Sequence, residues 1–429
     1  MGLKSFLRAL APQPLMRAYY WCIAVLVNVF FWFPGRQLRV FAVTGTNGKT
    51  TTSLLLYRIL TAARRRTGLM TTVRFSDGKR FWRNDTKMGT QSPLRLQSLL
   101  RRMVRNRATD AVLETTSIGL DQQRAWGVPV DTAVLTNFTL DHLEYHGTKE
   151  AYRLAKERLF ALPHRVSVVN GEDPSQHHFL KYPAVRKLKF AIDKEADVVA
   201  RGIRERMDGT QFRLEVGQES VEIHLRLIGR FNVENALAAA AAAVGANISL
   251  DAIKEGLESL EVSPGRMELV DCGQPFGVMI DYAHTPDGLK KVFDAVRPLV
   301  KGRLIAVGGA TGNRYPEKRP IMGALMGQYA DVVIVTDEDP YDEDPAAIMA
   351  EVVRGVKRGG GRKKQFEHGE NFFTVLDRAE AIEAAIRLAK PNDLVLITGK
   401  GDEGVMVVAG GRHVPHSDRA VVQSALKRR

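Results

Sequence analysis

Two series of short, apolar, β-branched runs separated by helix-length stretches predict an α/β protein with two consecutive sheet domains. The first is expected to be a central P-loop-type domain on a parallel sheet, the second a Rossmann-like α/β domain. Runs at 110–113, 132–136 and 166–170 are apolar without alternation, as strands buried on both faces must be. The same pattern returns at 277–281, 304–307, 332–336 and 394–398. Between these two series, the dipeptides around 263–265 (Ser-Pro-Gly) mark a boundary, giving domains at 38–262 and 263–429. The third observation is the stretch VTGTNGKTTTS at 43–53, where an apolar run breaks into a Gly-containing turn and then Lys-Thr opens a helix. Backbone N–H groups and a helix N-terminus facing one point make an anion site, to which a lysine adds charge and a hydroxyl a contact to Mg²⁺. The strict phosphate-loop pattern asks for glycine at position 43, which is Val43 here, so the stretch by itself suggests nucleotide binding and leaves a ligand-free glycine turn open.

Composition sets the class. A chain of 429 residues, 45% apolar and 26% charged, has material for roughly two to three globular cores. Its cysteines, Cys22 and Cys272, are too few for a disulfide framework or a four-thiolate zinc site and point to an intracellular, cytoplasmic protein. The formal net charge of +14 would suit an anionic partner. The basic residues, however, lie in scattered patches such as 64–66 and 354–364 without interleaved aromatics, so no nucleic-acid partner is expected.

Taken in order, residues 1–37 hold an apolar segment, 18–33, flanked by Arg17 and by Pro34-Gly35-Arg36. As a helix it would cover roughly 24 Å, short of a ~30 Å hydrocarbon core. It is expected to lie on a membrane or to be buried against the first domain or a partner. Helices are expected at 52–63, 93–105 and 149–162. The alternating stretch 198–228, with turns at Asp208-Gly209 and Gly217, reads as an antiparallel edge. Helices at 235–244 and 250–260 close the first domain, and helices at 286–299, 319–329, 345–356 and 378–389 alternate with the strands of the second. The segment 358–364 reads as a flexible basic loop.

Ligands of open parallel sheets sit off the carboxyl ends of the strands. There the sequence places Glu114 to Ser117 after one strand and Thr136-Asn137, then Asp141-His142, after another. A carboxylate and an imidazole beside the phosphate loop are donors suited to Mg²⁺ on nucleotide phosphates. Singly, Glu114 could equally serve a helix N-terminus and His142 could be an ordinary surface histidine.

The motifs TGTNGKTTT (44–52), ETTS-x-GLDQQR (114–124), TNFTLDHLEYHGT-x-EAY-x-x-AK-x-x-LF (136–160), GRFNVENALAA (229–239), SPGRME (263–268), DYAHTPDGL (281–289), KRPIMG (318–323) and GKG-x-E (399–403) follow one another in an order that resembles the Mur ligases, over about residues 38–429. The resemblance implies an ATP-dependent carboxylate–amine ligase that adds an amino acid to a muramyl-peptide-like acceptor through an acyl phosphate. It implies ATP contacts from Gly45, Thr46, Asn47, Gly48, Lys49, Thr50 and Thr51, and from Asn232, Asn235, Arg266, Asp281 and His284. Lys49 would hold the β/γ-phosphates, with Thr50, Glu114 and His142 on Mg²⁺. Lys156 matches the family's carbamylated lysine, the fourth member of the metal set. Lys49, Lys156, Glu114 and His142 are thus the implied catalytic group. Gln91, Ser92, Thr116, Gln122 and Arg124 match acceptor-binding positions. Glu338, Asp339, Pro340, Tyr341, Gly399 and Glu403 match amino-acid-binding ones. Without the family, Lys156 would read as a solvated helix lysine, and Asn232 and Asn235 as N-caps.

Three departures qualify the resemblance. Only 43 residues precede Thr44, where the family carries a UDP-binding domain of on the order of 100 residues. A lipid-linked or nucleotide-free acceptor, or a partner replacing that domain, is therefore an open expectation. Ile118 stands where histidine is usual. The amino-acid selectivity motif reads Glu338-Asp339-Pro340-Tyr341, without the arginine that would pair with a distal carboxylate. Six acids in the eight positions 337–344 suggest a cationic amino acid such as lysine or ornithine, or else a solvated acidic loop. A related amide ligase of cyanophycin or polyglutamate type, and a non-catalytic nucleotide-binding scaffold, are the alternatives. A monomer is expected.

Overall fold

Strand β1 (Arg39–Thr44) is buried along almost its whole length, because apolar residues face both ways: Val40 and Ala42 on one side, Phe41 and Val43 on the other. The structure, a computed structural model, describes residues 13–86, 88–260, 265–360 and 365–429. In chain order, β1 is followed by β2 (Thr67–Met70), β3 (Arg74–Asp77), β4 (Phe81–Arg83) and β5 (Asp110–Glu114). Next come β6 (Thr132–Leu135), β7 (Val166–Asn170), β8 (Arg186–Ala191), β9 (Val198–Arg206), β10 (Gly209–Val216) and β11 (Glu219–Leu225). They form one eleven-stranded sheet of order β11-β10-β9-β8-β7-β6-β1-β5-β2-β3-β4. β1 pairs in parallel with β5 and with β6, so their carboxyl ends emerge side by side, with Val43 opposite Glu114 and Thr44 opposite Leu135. The order reverses at β1, which makes its end the place where a crevice opens.

Helix Pro93–Arg105 packs on the sheet through Leu96, Leu100 and Met103, against Val40, Met70 and Leu113. Helix Lys149–Ala161 brings Leu159 and Phe160 against Ala42, Ala133 and Leu135. The alanine-rich helix Arg230–Gly245 packs on β6, β7, β8 and on helix Lys49–Ala62. Its residues Ala238 to Ala243 are wholly buried.

The chain divides into two compact units. The first runs to Arg204 and includes Thr210–Leu225 and Arg230–Leu260; the second takes Glu205–Gly209, Arg226–Gly229 and the chain beyond Leu260. The expected boundary at 262/263 falls on 261–264, outside the described residues. In the second unit, β12 (Glu268–Leu269), β13 (Gly277–Asp281), β14 (Leu304–Gly308), β15 (Val332–Val335), β16 (Phe372–Thr374) and β17 (Leu394–Thr398) form a six-stranded sheet of order β12-β13-β17-β14-β15-β16. All neighbours but β12 and β13 run parallel. A hairpin, β18 (Val405–Val408) and β19 (Arg412–Pro415), and a final helix, Asp418–Arg428, complete it.

Most expected elements form within a few residues of their expected ends. Three points need correction. Helix Pro345–Gly360 runs on through Arg358, so the first part of the expected basic loop is helical; 361–364 lie outside the described residues. Asn232 and Asn235 sit inside a helix that begins at Arg230, five residues earlier than expected, and are not caps. The apolar N-terminal segment is the helix Gln13–Phe31, which ends in Trp32 and Phe33, both at positive φ. No helix among the described residues is long and apolar enough to cross a membrane.

The last helix is tied to the second sheet by a buried ion pair. Arg378 donates from Nε and Nη2 to the two Asp418 oxygens, each at 2.8 Å, and from Nη2 to the Thr398 carbonyl at 2.8 Å. Burial opposes the charge on Asp418, but Arg378 and His416 outweigh it and hold the carboxyl well below the usual carboxylate range. A depressed folded-state pKa contributes stability that is present above about pH 4 and lost as pH falls further. Replacing Asp418 by alanine strands a buried guanidinium and is expected to cost about 3–5 kcal/mol. Thermal melts at pH 7 should record the loss, and the gap between variant and parent should shrink as the medium is acidified below pH 4.

Candidate active site

The loop after β1 is built to present backbone N–H groups. Gly48 has φ 81°, and a Cβ there would come within 2.0 Å of Asn235 Oδ1, so the left-handed turn and the neighbouring side chain both require glycine. The loop is clamped from β6's carboxyl end. Asn137 Oδ1 accepts from Asn47 N at 2.9 Å and Asn137 Nδ2 donates to Asn47 O at 3.1 Å. Thr136 Oγ1 donates to the same carbonyl at 2.6 Å, and Thr46 N donates to Asn137 O at 2.9 Å. Helix Lys49–Ala62 then starts directly, with Thr50 and Thr51 buried in its first turn. The Lys49 ammonium curls over the loop, donating to Gly45 O at 3.1 Å and Thr46 O at 2.8 Å. Asn235 Nδ2 donates to Asn232 Oδ1 at 3.2 Å, so the two expected ATP-contacting asparagines do meet each other beside the loop.

Thr50 Oγ1 donates to Glu114 Oε2 at 2.9 Å, and Thr72 donates to the same carboxylate from N (2.9 Å) and Oγ1 (2.8 Å). The threonines of the β2–β3 turn were not singled out from the sequence; a Thr-Thr pair after an apolar run is their only signal. Lys156, from helix Lys149–Ala161, is 1% exposed and donates to Gly45 O at 2.7 Å. It thus shares one carbonyl with Lys49. Burial, and then the nearby Lys49 charge, hold its amine well below the ordinary lysine range, against a weaker opposing pull from Asp141. His142 lies at φ 53°, with Nε2 3.6 Å from Asp141 Oδ2. Among the described residues no group of three or more His, Cys, Asp or Glu side chains is gathered to hold a metal. The oxygen donors brought together are Thr50 and Glu114.

Three of the expected acceptor residues, Thr116, Gln122 and Arg124, meet around Thr90, while Gln91 and Ser92 stand apart. Thr116 Oγ1 caps Gly119 N at 3.1 Å and lies 3.2 Å from Thr90 Oγ1. Arg124 donates to Gln122 Oε1 (2.9 and 2.7 Å) and to Thr90 O (2.8 Å), and Gln122 Nε2 donates to the Tyr145 hydroxyl at 3.2 Å. Gln91 is buried and donates to Met88 O; Ser92 stands at the N-cap of helix Pro93–Arg105 without a side-chain capping bond.

In the second unit the residues cluster at the carboxyl ends of β13, β15 and β17. Lys400 Nζ donates to both Asp339 oxygens (2.7 and 2.8 Å) and to Glu403 Oε2 (2.6 Å). Asp281 accepts from Ala283 N and Met267 N, Arg266 stacks over Tyr282 at 4.4 Å, and His284 Nδ1 lies 3.0 Å from Tyr282 O. Of the acids at 337–344, Asp339 is committed to Lys400, Asp342 to Asn313 and Gly410 N, and Glu343 to Arg319. Tyr341, at φ 51°, carries Arg314 over its ring at 5.6 Å. Glu338 differs from its neighbours. It is 2% exposed, its Oε2 has no hydrogen-bond partner, and a Cβ on Gly399 would come within 2.2 Å of that atom. Burial pushes its carboxyl up to about 7, against the pull of Arg378, Lys318 and Lys400.

A phosphate-cradling loop with its lysine on one parallel sheet, joined to a second open sheet lined with acids and cations, defines a nucleotide-dependent ligase. The comparisons give the family. The Mur ligase middle domain matches residues 43–243, and the Mur ligase glutamate ligase domain matches 265–401. The chain belongs to the Mur ligases and is an ATP-dependent enzyme that forms amide bonds. It is 41% identical to a UDP-N-acetylmuramyl-tripeptide synthetase of a Roseiflexus species, over 94% of this chain and 81% of that one. It is 36% identical to a UDP-N-acetylmuramoyl-L-alanyl-D-glutamate–2,6-diaminopimelate ligase of Bacillus cereus, over 97% and 83%. A solved structure of a ligase of the latter name superposes with a TM-score of 0.65 at 35% identity, covering 91% of this chain and 78% of that one. A Mycobacterium tuberculosis folylpolyglutamate synthase shares the fold at 19% identity, with a TM-score of 0.70 over 90% and 92% of the two chains.

Glu338 yields a pH test. A carboxyl whose folded pKa is raised prefers its neutral form in the native state, so the parent loses stability as pH climbs from the ordinary glutamate value towards 7. Glu338→Gln keeps the shape without the charge. Its Tm should match the parent's at pH 5 and exceed it by roughly 2–8 °C at pH 8, read by calorimetry.

Proposed function

We propose that the first unit binds ATP on the loop Gly45 to Thr51 and passes its γ-phosphoryl group to a carboxylate of a muramyl-peptide-like acceptor. The oxygen–phosphorus bond to ADP breaks as the acyl phosphate forms. The amine of an amino acid then attacks the acyl carbon, phosphate leaves with the C–O bonding pair, and the nitrogen gives up its proton. The observation that carries this reading is the convergence of Lys49, Thr50, Glu114 and Lys156 on one strand-end crevice. Lys49 would exchange its two loop carbonyls for phosphate oxygens. Gln91, Ser92, Thr116, Gln122 and Arg124 would hold the acceptor, and Asn232, Asn235, Arg266, Asp281 and His284 the nucleotide. The reaction belongs to cytoplasmic cell-wall peptide synthesis, carried out by a monomer, with 18–33 left to meet a membrane or a partner.

Mg²⁺ fits the first unit. Two buried oxygen donors, Thr50 Oγ1 and Glu114 Oε2, stand 2.9 Å apart at the loop, and hard oxygen ligands beside phosphates are what this ion takes. His142 and carbamylated Lys156 would complete the set. The bound ion supplies charge neutralisation on the phosphate oxygens. Carbamylation is supported by the state of Lys156. Burial and the nearby Lys49 charge pull its amine well below the ordinary lysine range, which favours the neutral form whose lone pair attacks CO₂. An N–C bond forms, one proton leaves, and an anion replaces the neutral amine next to Lys49. Lys156→Ala should lower ligation by about a hundredfold or more, the size of loss seen when one preorganised electrostatic contact goes. Carbon-13 NMR with labelled bicarbonate should show a carbamate signal in the parent that is missing in Lys156→Ala. Unchanged ligation in that variant sinks the mechanism.

For the amino acid, Tyr341 offers no guanidinium to a distal carboxylate, while Glu338 holds an unpartnered buried oxygen. An incoming ammonium would supply its missing donor and draw the carboxyl back to its charged form. Lysine or ornithine is therefore the proposed substrate, with Glu403 and Gly399 alongside. In an ADP-release assay over a panel of amino acids, these two should exceed diaminopimelate and neutral amino acids by tenfold or more, and Glu338→Gln should erase the preference. A preference for neutral or acidic amino acids would refute it.

A further inference from the structure

Helix Gln13–Phe31 is apolar from Ala18 onwards except for Asn28, and among the described residues only one side of it is covered. Ala24 and Asn28 are buried, and Asn28 Nδ2 donates to Trp126 O at 2.7 Å and to Ala24 O at 2.9 Å. The Trp21 ring lies edge-on to Trp126 at 5.9 Å. These contacts fix how the helix is turned on the first unit. On its other side Tyr19, Cys22, Leu26, Val29 and Phe30 recur at helical spacing and form one outward stripe, extended by Trp32. Leu26 is 70% exposed, Phe30 74% and Trp32 81%.

Where the stripe ends, Phe30 and Trp32 border a cleft of about 450 Å³ whose other wall carries Arg101, Arg102 and Arg105 of helix Pro93–Arg105. Arg102 is occupied, paired with Asp77 at 2.5 Å and stacked on Trp82. Arg101 and Arg105, one turn apart, have no ion pair or hydrogen bond among the described residues. Nor do acids offset them within their own helix: residues 86–109 hold no Asp or Glu.

We infer that this face docks on an anionic phospholipid bilayer, with the helix lying along the interface and a lipid phosphate in the cleft between Arg101 and Arg105. The charge complementarity decides for lipid. A protein partner would cover an apolar stripe with a charge-depleted core, whereas here cations flank tryptophan, tyrosine and phenylalanine, the side chains that settle at the boundary of headgroups and acyl chains. No helix among the described residues is long and apolar enough to cross a bilayer, and the inferred pose lays this one along one leaflet. The inference deepens the reading that 18–33 meets a membrane or a partner, and it does not depend on the ligase chemistry.

The test uses the full chain in flotation with vesicles of phosphatidylcholine, with and without phosphatidylglycerol. The parent should float with the anionic vesicles and at least tenfold less with the neutral ones. The double variants Leu26→Glu/Phe30→Glu and Arg101→Ala/Arg105→Ala should each cut partitioning tenfold, the second abolishing the distinction between vesicle types. Circular dichroism and ATP-dependent ligation of a soluble acceptor should match the parent in both, which separates this test from the ligase reading. Equal partitioning of the parent onto both vesicle types, or none onto either, overturns the inference. So does light scattering that finds a parent dimer dispersed by Leu26→Glu/Phe30→Glu, since a second copy would then be what covers the stripe.

Discussion

The parallel pairing of β1 with β5 and β6 is the constraint on which the first unit's chemistry depends. Parallel strands release their chains at the same edge, so the ladder that sets Val43 opposite Glu114 and Thr44 opposite Leu135 also fixes where three loops begin. Glu114 becomes a neighbour of Thr50, and Asn137 becomes a brace for Asn47, although 64 and 90 residues separate the partners. A one-residue slip of β5 would send the carboxylate to the other face of the sheet. These strands are apolar on both faces, so the alternation that pins register in half-buried strands is missing, and the loop contacts of Thr50 with Glu114 and Asn47 with Asn137 help to hold it.

Each unit buries an ionisable side chain whose charged form is disfavoured by the same means. In the first, Lys156 is a buried amine pressed on a carbonyl beside a second cation; in the second, Glu338 is a buried carboxyl with an unfilled oxygen. Water would charge both. Desolvation disfavours the charged form of either sign, drawing the lysine down from its ordinary range and the glutamate up to about 7. Other buried charges are matched in pairs, Arg378 with Asp418 and Lys400 with Asp339 and Glu403, whereas burial also raises the carboxyls of Asp281 and Asp337.

The sequence made the fold class, the parallel core strands and the phosphate loop legible, because each rests on local chemistry: unbroken apolar runs, helix spacing, a Gly-Lys-Thr turn. Short strands such as β2 to β4 and β16 were not legible, since three or four residues carry little periodicity and their pairing is decided by partners far away. Lys156 shows the limit most clearly. Periodicity gave a solvated helix lysine, and only the family pattern singled it out; its burial follows from the way helix Lys149–Ala161 lies over Gly45. The acids at 337–344 mislead in the opposite direction. Counted along the chain they form a negative patch, yet in space most are consumed by Lys400, Arg319 and backbone N–H groups, leaving Glu338 as the informative one. Asn232 and Asn235 fit N-caps in sequence, but the helix begins earlier and turns them towards the loop.

The run from Ala238 to Ala243 has a consequence at the level of the gene. Those six methyl groups set the spacing between helix Arg230–Gly245 and its neighbours, and Asn235, one turn away on the same rod, reaches Gly48 only at that spacing. Every single-base change at the first or second position of an alanine codon yields valine, threonine, serine, proline, glycine, aspartate or glutamate. Each of these is larger, polar or a poor helix former, and overpacking alone costs roughly 1–3 kcal/mol. The stretch is compositionally the plainest in the protein, and it is where drift has least room to move.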